Sequence, residues 1–236
     1  MMNGMKMMTT TNNKAQLAKN DNSMTERTTT TTSPSRPCNV AIFVSGSGTN
    51  CENIIRYFQD SPLVHVALVL SNKSDAYALV RAERLNVPTV VVPKAEFGKA
   101  DEVLKILDEH HIDFIVLAGF LLMIPDYLIQ TYHRRMINLH PALLPKFGGK
   151  GMYGHHVHEA VKAAGETETG FTVHWVSSVC DGGEIIAQFR TPLLPSDSVD
   201  DIAEKEHQLE MKHFPQVIEQ VVGEILGMGG VNRSNL

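Results

Sequence analysis

The chain alternates between short apolar runs and segments with helical spacing, and this alternation organises everything that follows. Asn39 to Val44 (NVAIFV), Val64 to Leu70 (VHVALVL), the Thr-Val-Val-Val run between Pro88 and Pro93, and Phe114 to Ala118 (FIVLA) are apolar, mostly rich in β-branched residues, and bounded by Gly, Ser, Asn or Pro. Runs of this kind are expected of strands buried on both faces of a parallel sheet. Between them, Asn50 to Phe58, Ala76 to Leu85 and Ala100 to His110 place apolar side chains three and four residues apart, as in Val103, Leu104 and Leu107. That spacing predicts helices. Met136 to Leu139 predicts a fifth strand running into His140-Pro141, and Thr172 to Val176 and Gly183 to Thr191 predict two more. Asp200 to Leu226 predicts a long helix that Pro215 should break or kink.

The β-α-β order predicts an α/β fold: a mostly parallel, twisted sheet with helices on both faces and right-handed crossovers. Ligands on such sheets bind beyond the carboxyl ends of the strands, near the point where strand order reverses. The loops at 45–50, 71–75, 119–125 and 138–145 are therefore the places to look for chemistry.

Composition changes the picture at one end of the chain. Residues 1–37 contain no Ile, Val, Phe, Tyr or Trp, and nine of them are Thr. Such a segment offers too little apolar surface to offset the entropy of ordering, so it is expected to be a disordered tail, with the folded domain spanning 38–236. It has no apolar signal-peptide core, and Met24 is a possible later start. The tail holds five basic and two acidic residues, a net +3, so the overall −5 leaves −8 on the remainder. An acidic body is not expected to bind nucleic acid, and any anion must be held locally. Three scattered cysteines (Cys38, Cys51, Cys180) give no disulfide framework, and no apolar run is long enough to span a membrane.

Three loops carry candidate chemistry. Ser45-Gly46-Ser47-Gly48-Thr49-Asn50 follows a strand and opens a helix, a natural cradle for a phosphate. It lacks the third glycine of a dinucleotide fingerprint, since Cys51 stands there, and it lacks the Gly-Lys-Ser/Thr of a nucleotide P-loop. A tight structural turn is the alternative. In Ile137-Asn138-Leu139-His140-Pro141, residues 138 and 140 share a strand face, so an amide donor and an imidazole point the same way. Asn can stabilise an oxyanion and His can move a proton near neutral pH. Cys180-Asp181-Gly182-Gly183 reads as a hairpin turn, although an Asp there could orient a histidine. The cluster Gly154-His155-His156-Val157-His158-Glu159 lacks the spacing of a zinc site and reads as a polar helix start beside a cleft, so no metal is expected.

Taken in order and spacing, Gly46 to Asn50, Ser71-Asn72-Lys73, Ala118-Gly119-Phe120, Asn138 to Pro145 and Asp181-Gly182-Gly183 resemble the folate-dependent formyltransferases, over residues 38 to about 222. The resemblance implies a Rossmann-like formyltransferase fold with an antiparallel addition near the C-terminal part. It implies transfer of a formyl group from 10-formyltetrahydrofolate to the amine of glycinamide ribonucleotide in purine biosynthesis. Other branches remain alternatives: formyltetrahydrofolate hydrolase (the deformylase), the methionyl-tRNA enzyme and the hydrolase domain of formyltetrahydrofolate dehydrogenase. Chain length points to the stand-alone purine branch, because the tRNA enzyme resembles this core plus a C-terminal domain and the deformylase adds an N-terminal one.

The same resemblance implies the site. Asn138 and a protonated His140 would stabilise the oxyanion, with Asp181 holding His140 in orientation and favouring its charged form. Gly46, Gly48, Thr49, Asn50, Pro141, His207 and Glu210 would contact the ribonucleotide. Leu121, Leu122, Met123 and Ile124, with Asn138 and Asp181, would line the folate pocket, and His155 and His174 would support the centre. Departures from the family pattern are equally specific. Leu121-Leu122 stands where many relatives have Met-Arg, Lys99 is the expected substitute for a missing folate-tail Arg, and the loop 147–158 is longer than in some relatives. The expected ligands are small molecules, glycinamide ribonucleotide and folate, with no nucleic acid, membrane or metal. The protein is expected to be cytoplasmic, as a monomer or homodimer.

Overall fold

A computed structural model describes residues 36–227. Most of the expected tail, and residues 228–236, lie outside the described residues. Arg36 belongs to the described fold: its guanidinium holds both carboxylate oxygens of Asp113 at 2.5 and 2.8 Å, just ahead of the first strand.

Seven strands, β1 (Cys38–Val44), β2 (Val64–Ser71), β3 (Thr89–Val91), β4 (Phe114–Leu117), β5 (Met136–His140), β6 (Glu168–Trp175) and β7 (Ile185–Pro192), form one sheet in the order β3-β2-β1-β4-β5-β6-β7. Pairing is parallel from β3 through β5 and antiparallel from β5 to β7. Six helices accompany them: α1 (Thr49–Tyr57), α2 (Tyr77–Arg84), α3 (Ala100–Glu109), α4 (Asp126–Thr131), α5 (His155–Ala163) and α6 (Val199–Ile225). The chain winds outward from β1 to β3 and returns to β4 on the other side of β1. That reversal opens a crevice between the carboxyl ends of β1 and β4.

The strand composition explains the layers. In β1, Val40, Ile42 and Val44 pack with Ile54, Ala82, Phe214 and Ile218 of α1, α2 and α6. The alternating Ala41 and Phe43 pack on the opposite face with Val103, Leu107 and Leu128 of α3 and α4. Both faces are covered, which is why the strand reads as a continuous apolar run. A smaller cluster of Ala142, Val157, Val161 and Ile202 seats α5 against α6. No helix among the described residues is long and apolar enough to cross a membrane.

Three features depart from the pattern-based reading. The helix α4 has only six residues, too few to show a period, although Pro125 precedes it as its N-cap. The strand β6 begins four residues earlier than predicted. Gly170 interrupts its apolar pattern, and a Cβ there would lie 1.8 Å from the Phe189 carbonyl oxygen of β7. A glycine inside a strand commonly marks such a close backbone approach.

Pro215, expected to break or kink the last helix, sits buried inside one continuous 27-residue helix. Proline has no N–H to offer the carbonyl four residues back. That carbonyl, on Met211, accepts a 2.7 Å bond from the Asn53 side-chain amide of α1 instead.

Candidate active site

The crevice is a cavity of about 930 Å³, large for a single small ligand. It is lined by the 46–50 loop, the 117–125 segment, Asn138 to Pro141, the 149–154 loop, Asp181 and the inner face of α6. Of the residues expected at the site from the sequence, all line it except His155 and Lys99.

The 46–50 loop is set by packing as much as by ligand access. Gly48 has φ +75°, and a Cβ on it would lie 2.4 Å from Ala78 Cβ of α2. The left-handed backbone and the close approach both call for glycine. Three bonds pin the loop. The Ala78 N–H donates to the Gly46 carbonyl (3.1 Å), Arg81 Nε donates to the Ser47 carbonyl (2.9 Å), and the Ser45 hydroxyl donates to Asn72. Ser45 Oγ also accepts from the Leu121 N–H at 2.9 Å, tying the first loop to the second. Next along, Asn50 Nδ2 donates to Glu210 Oε2 (2.7 Å), and His207 Nδ1 faces the same oxygen at 3.4 Å. Hydrogen bonding to Glu210 raises His207 above its ordinary value against the effect of burial.

Strand β5 delivers Asn138 and His140 together, as their spacing predicts. Cross-strand pairing sets Asn138 opposite His174 and His140 opposite Thr172. His174 Nδ1 lies 2.9 Å from the Trp175 carbonyl, and its Nε2 lies 3.0 Å from the Asn138 amide nitrogen. Beyond His140, the Thr172 hydroxyl donates to the Ala142 carbonyl (2.6 Å) and accepts from the Leu144 N–H (3.1 Å). Gln188 caps the Leu144 carbonyl at 2.8 Å. The turn that ends β5 is thus held by the antiparallel strands, and it fixes where His140 points.

Asp181 arrives from the β6–β7 connection with φ +52°. The two glycines after it are structural: a Cβ on Gly182 would lie 2.6 Å from Val179 Cγ1, and one on Gly183 would lie 1.7 Å from the Trp175 carbonyl oxygen. The hairpin reading of this motif therefore holds, and the turn carries the Asp181 carboxylate to the side of His140. The carboxylate sits between two imidazoles, with Oδ2 3.5 Å from His140 Nδ1 and Oδ1 3.7 Å from His174 Nε2. The Gly149 N–H donates to it at 2.8 Å. Burial alone would raise Asp181, but His174, His140 and the Gly149 N–H outweigh it and hold the group below the usual carboxylate value.

His140 is 3% exposed, and its Nε2 donates to the Phe147 carbonyl at 2.8 Å. Burial lowers its pKa; Asp181 and the Phe147 carbonyl pull upward, His174 pulls downward, and the net shift is downward. In the unliganded site the balance lies toward the neutral ring, although Asp181 pulls toward the charged form as expected. Desolvation of a ring enclosed by strand and loop exceeds the attraction of the nearby carboxylate.

On the other side of the crevice, Leu121 and Met123 are exposed and Ile124 is buried, making an apolar wall with Leu122, Val176 and Val179. Lys94, not Lys99, is the lysine on this wall; Lys99 is exposed and pairs with Glu102 at 3.2 Å. His155 does not reach the cavity: it is the exposed first residue of α5, 3.8 Å from Glu159, and His158, one turn further, faces inward instead. A second residue the motif reading missed is Glu206, 1% exposed on α6. Its signal was present in the spacing, since Ile202, Glu206, Glu210 and Phe214 fall four apart, placing two acids in an otherwise apolar helix stripe. No group of three or more His, Cys, Asp or Glu side chains suited to a metal ion occurs among the described residues.

The formyl transferase family profile matches residues 38–218. A chloroplastic phosphoribosylglycinamide formyltransferase of Arabidopsis thaliana is 36% identical over 191 residues, covering 78% of this chain and 65% of its own length. The phosphoribosylglycinamide formyltransferase of Haemophilus influenzae is 34% identical over 185 residues, covering 76% and 85%. Among solved structures, that of phosphoribosylglycinamide formyltransferase from Anaplasma phagocytophilum is similar at a TM-score of 0.73 and 30% identity, covering 80% of this chain and 89% of that one.

Proposed function

This chain belongs to the formyl transferase family, and on that premise we propose that it transfers the formyl group of 10-formyltetrahydrofolate to the amine of glycinamide ribonucleotide, a step of purine biosynthesis. The observation that carries the reading is the convergence of Asn138, His140 and Asp181 at the meeting point of a polar, glycine-rich end and an apolar wall of one cavity. A binding module has no need of an amide, an imidazole and a carboxylate aimed at one place.

The ribonucleotide phosphate is assigned to the N–H groups of Gly46 to Asn50 at the start of α1, its ribose to Glu210 with His207, and its amine to the His140–Asp181 side, past Pro141. The folate is assigned to Leu121 through Ile124. As the amine attacks the formyl carbon, Asn138 donates to the developing oxyanion. His140, resting neutral, takes the proton from the amine, and the cation so formed is stabilised by Asp181 and adds its charge beside the oxyanion. His140, Asp181 or an ordered water then returns a proton to the leaving folate nitrogen. Holding both substrates in one crevice supplies proximity. We place this activity in the cytoplasm, carried by a monomer or homodimer that needs no metal and no nucleic acid, with residues 1–37 as a tail.

The test is the variant pair His140→Ala and Asp181→Asn in the complete transfer assay. Each should lower kcat by about 10²–10⁴-fold, the usual contribution of acid–base and oxyanion groups, with an unchanged circular dichroism spectrum. Near-normal turnover in either variant contradicts the assigned roles.

A further inference from the structure

The ribonucleotide end of the crevice holds a second histidine–acid pair that the mechanism above does not use. His158 Nδ1 of α5 and Glu206 Oε2 of α6 lie 3.0 Å apart. They do not have the alignment of a hydrogen bond: His158 Nδ1 and both Glu206 oxygens are buried without a hydrogen-bond partner, as is Asn50 Oδ1. All three residues line the same cavity, and Asn50 links them to Glu210 at 2.7 Å, one helical turn beyond Glu206. Buried polar groups are nearly always satisfied. Four unsatisfied atoms from three elements, gathered on one wall of a ligand cavity, mark a place prepared for a polar guest.

We propose that His158, positioned by Glu206, is a further ligand-contacting residue for the sugar–phosphate end of the substrate, and that binding of a phosphate ester there takes up one proton from solvent onto this pair. The inference rests on the assignment of the 46–50 loop and Glu210 to the ribonucleotide. The charge balance of the molecule favours it. A body carrying −8 must receive a phosphate ester through local groups, and beside the N–H groups of the 46–50 loop a histidine that gains its proton only when the anion arrives adds positive charge without a standing buried charge.

The titratable groups facing His158 are Glu206 and Glu210 of α6 and His155 of its own helix. Burial lowers His158, with Glu210 opposing and His155 adding to the effect. Burial, reinforced by Glu210, raises Glu206 well above its ordinary value. In the free protein burial thus favours the uncharged form of both the ring and the carboxyl, which face each other without a hydrogen bond. An anion nearby reverses the balance at His158: the ring takes a second proton from solvent while Glu206 keeps its own, and the imidazolium sits between the ligand and the neutral Glu206 carboxyl. Glu206 touches no ligand itself; packed 3.0 Å from Nδ1, it sets where the ring sits and receives one side of the imidazolium once it forms.

The experiment titrates the full chain with ribose 5-phosphate while following histidine ring resonances and backbone amides by NMR. In parallel, calorimetry in buffers of different ionisation enthalpy counts protons. The His158 ring should shift, its midpoint should rise by at least about one unit, equivalent to tenfold coupling, and calorimetry should show net proton uptake. Uptake should vanish in His158→Asn. In Glu206→Gln the KM for the ribonucleotide should rise severalfold, with the KM for the folate and kcat nearly unchanged. A merely structural pair would shift neither the midpoint nor one KM alone. If the 46–50 amides respond while His158 stays silent and no proton is taken up, the proposal is overturned and the ribonucleotide assignment stands. If neither responds, the assignment falls with it.

Discussion

At the scale of single residues, the centre is a set of hydrogen bonds that decide protonation. The Phe147 carbonyl holds a proton on His140 Nε2, and Nδ1 faces Asp181. A neutral, buried imidazole suits a base better than a standing cation. The pH dependence follows with a definite sign. Since burial depresses His140, its neutral form persists to lower pH than that of a free histidine, whose value is about 6.5. The acid limb of kcat/KM should therefore have its midpoint below that value, and Asp181→Asn should move it further down, because the carboxylate is what pulls it up. A midpoint above about 7 would contradict a resting neutral ring. Asn138, His140 and Asp181 were legible in the sequence because the Asn-x-His-Pro and Asp-Gly-Gly patterns are compact. The carbonyl of Phe147 and the amide of Gly149 were not, since a backbone group carries no signature in residue type. His158 was obscured by His155 beside it: only the seating of Val157 and Val161 in the core decides which histidine turns inward.

At the scale of elements, the strands were the most readable part. Their double-sided burial leaves unbroken apolar runs, and the predicted boundaries of β1 and β2 differ by one residue from those observed. The failures have local physical causes. Six residues make α4 too short for a period, and Gly170 hides the start of β6. Pro215 is tolerated because another element supplies what proline lacks. This last point is testable. Asn53→Ala strands the Met211 carbonyl inside the α1–α6 packing and should cost about 1–2 kcal/mol, the usual penalty for a part-buried group losing its partner. In a Pro215→Ala background the restored N–H can bond to Met211, so the same Asn53 change should cost less. Equilibrium denaturation of the four proteins measures the coupling. Strictly additive costs would show that Asn53 does not compensate for the proline.

At the scale of the whole molecule, the parallel strands build the site's position and the antiparallel pair builds its chemistry. The reversal between β1 and β4 opens the crevice, whereas β6 supplies His174 and Thr172 and the β6–β7 connection supplies Asp181. The α/β alternation announced the first half of this plan. Strand order was not visible in any single run of residues, because it depends on which pairings close the sheet. The acidic body adds a further constraint: with no broad positive field, the phosphate ester of the proposed substrate would have to be held locally, by the N–H groups at the start of α1 and the histidines proposed above. What separates formyl transfer from the hydrolytic alternative is the fate of one carbon atom. The decisive measurement supplies 10-formyltetrahydrofolate carrying ¹³C in the formyl group to the purified protein with glycinamide ribonucleotide, and follows the label by NMR. The account predicts that the label appears on the ribonucleotide amide, that its transfer stops when the ribonucleotide is omitted, and that Asp181→Asn slows it by orders of magnitude. Label accumulating as free formate at the same rate with or without the ribonucleotide would contradict it.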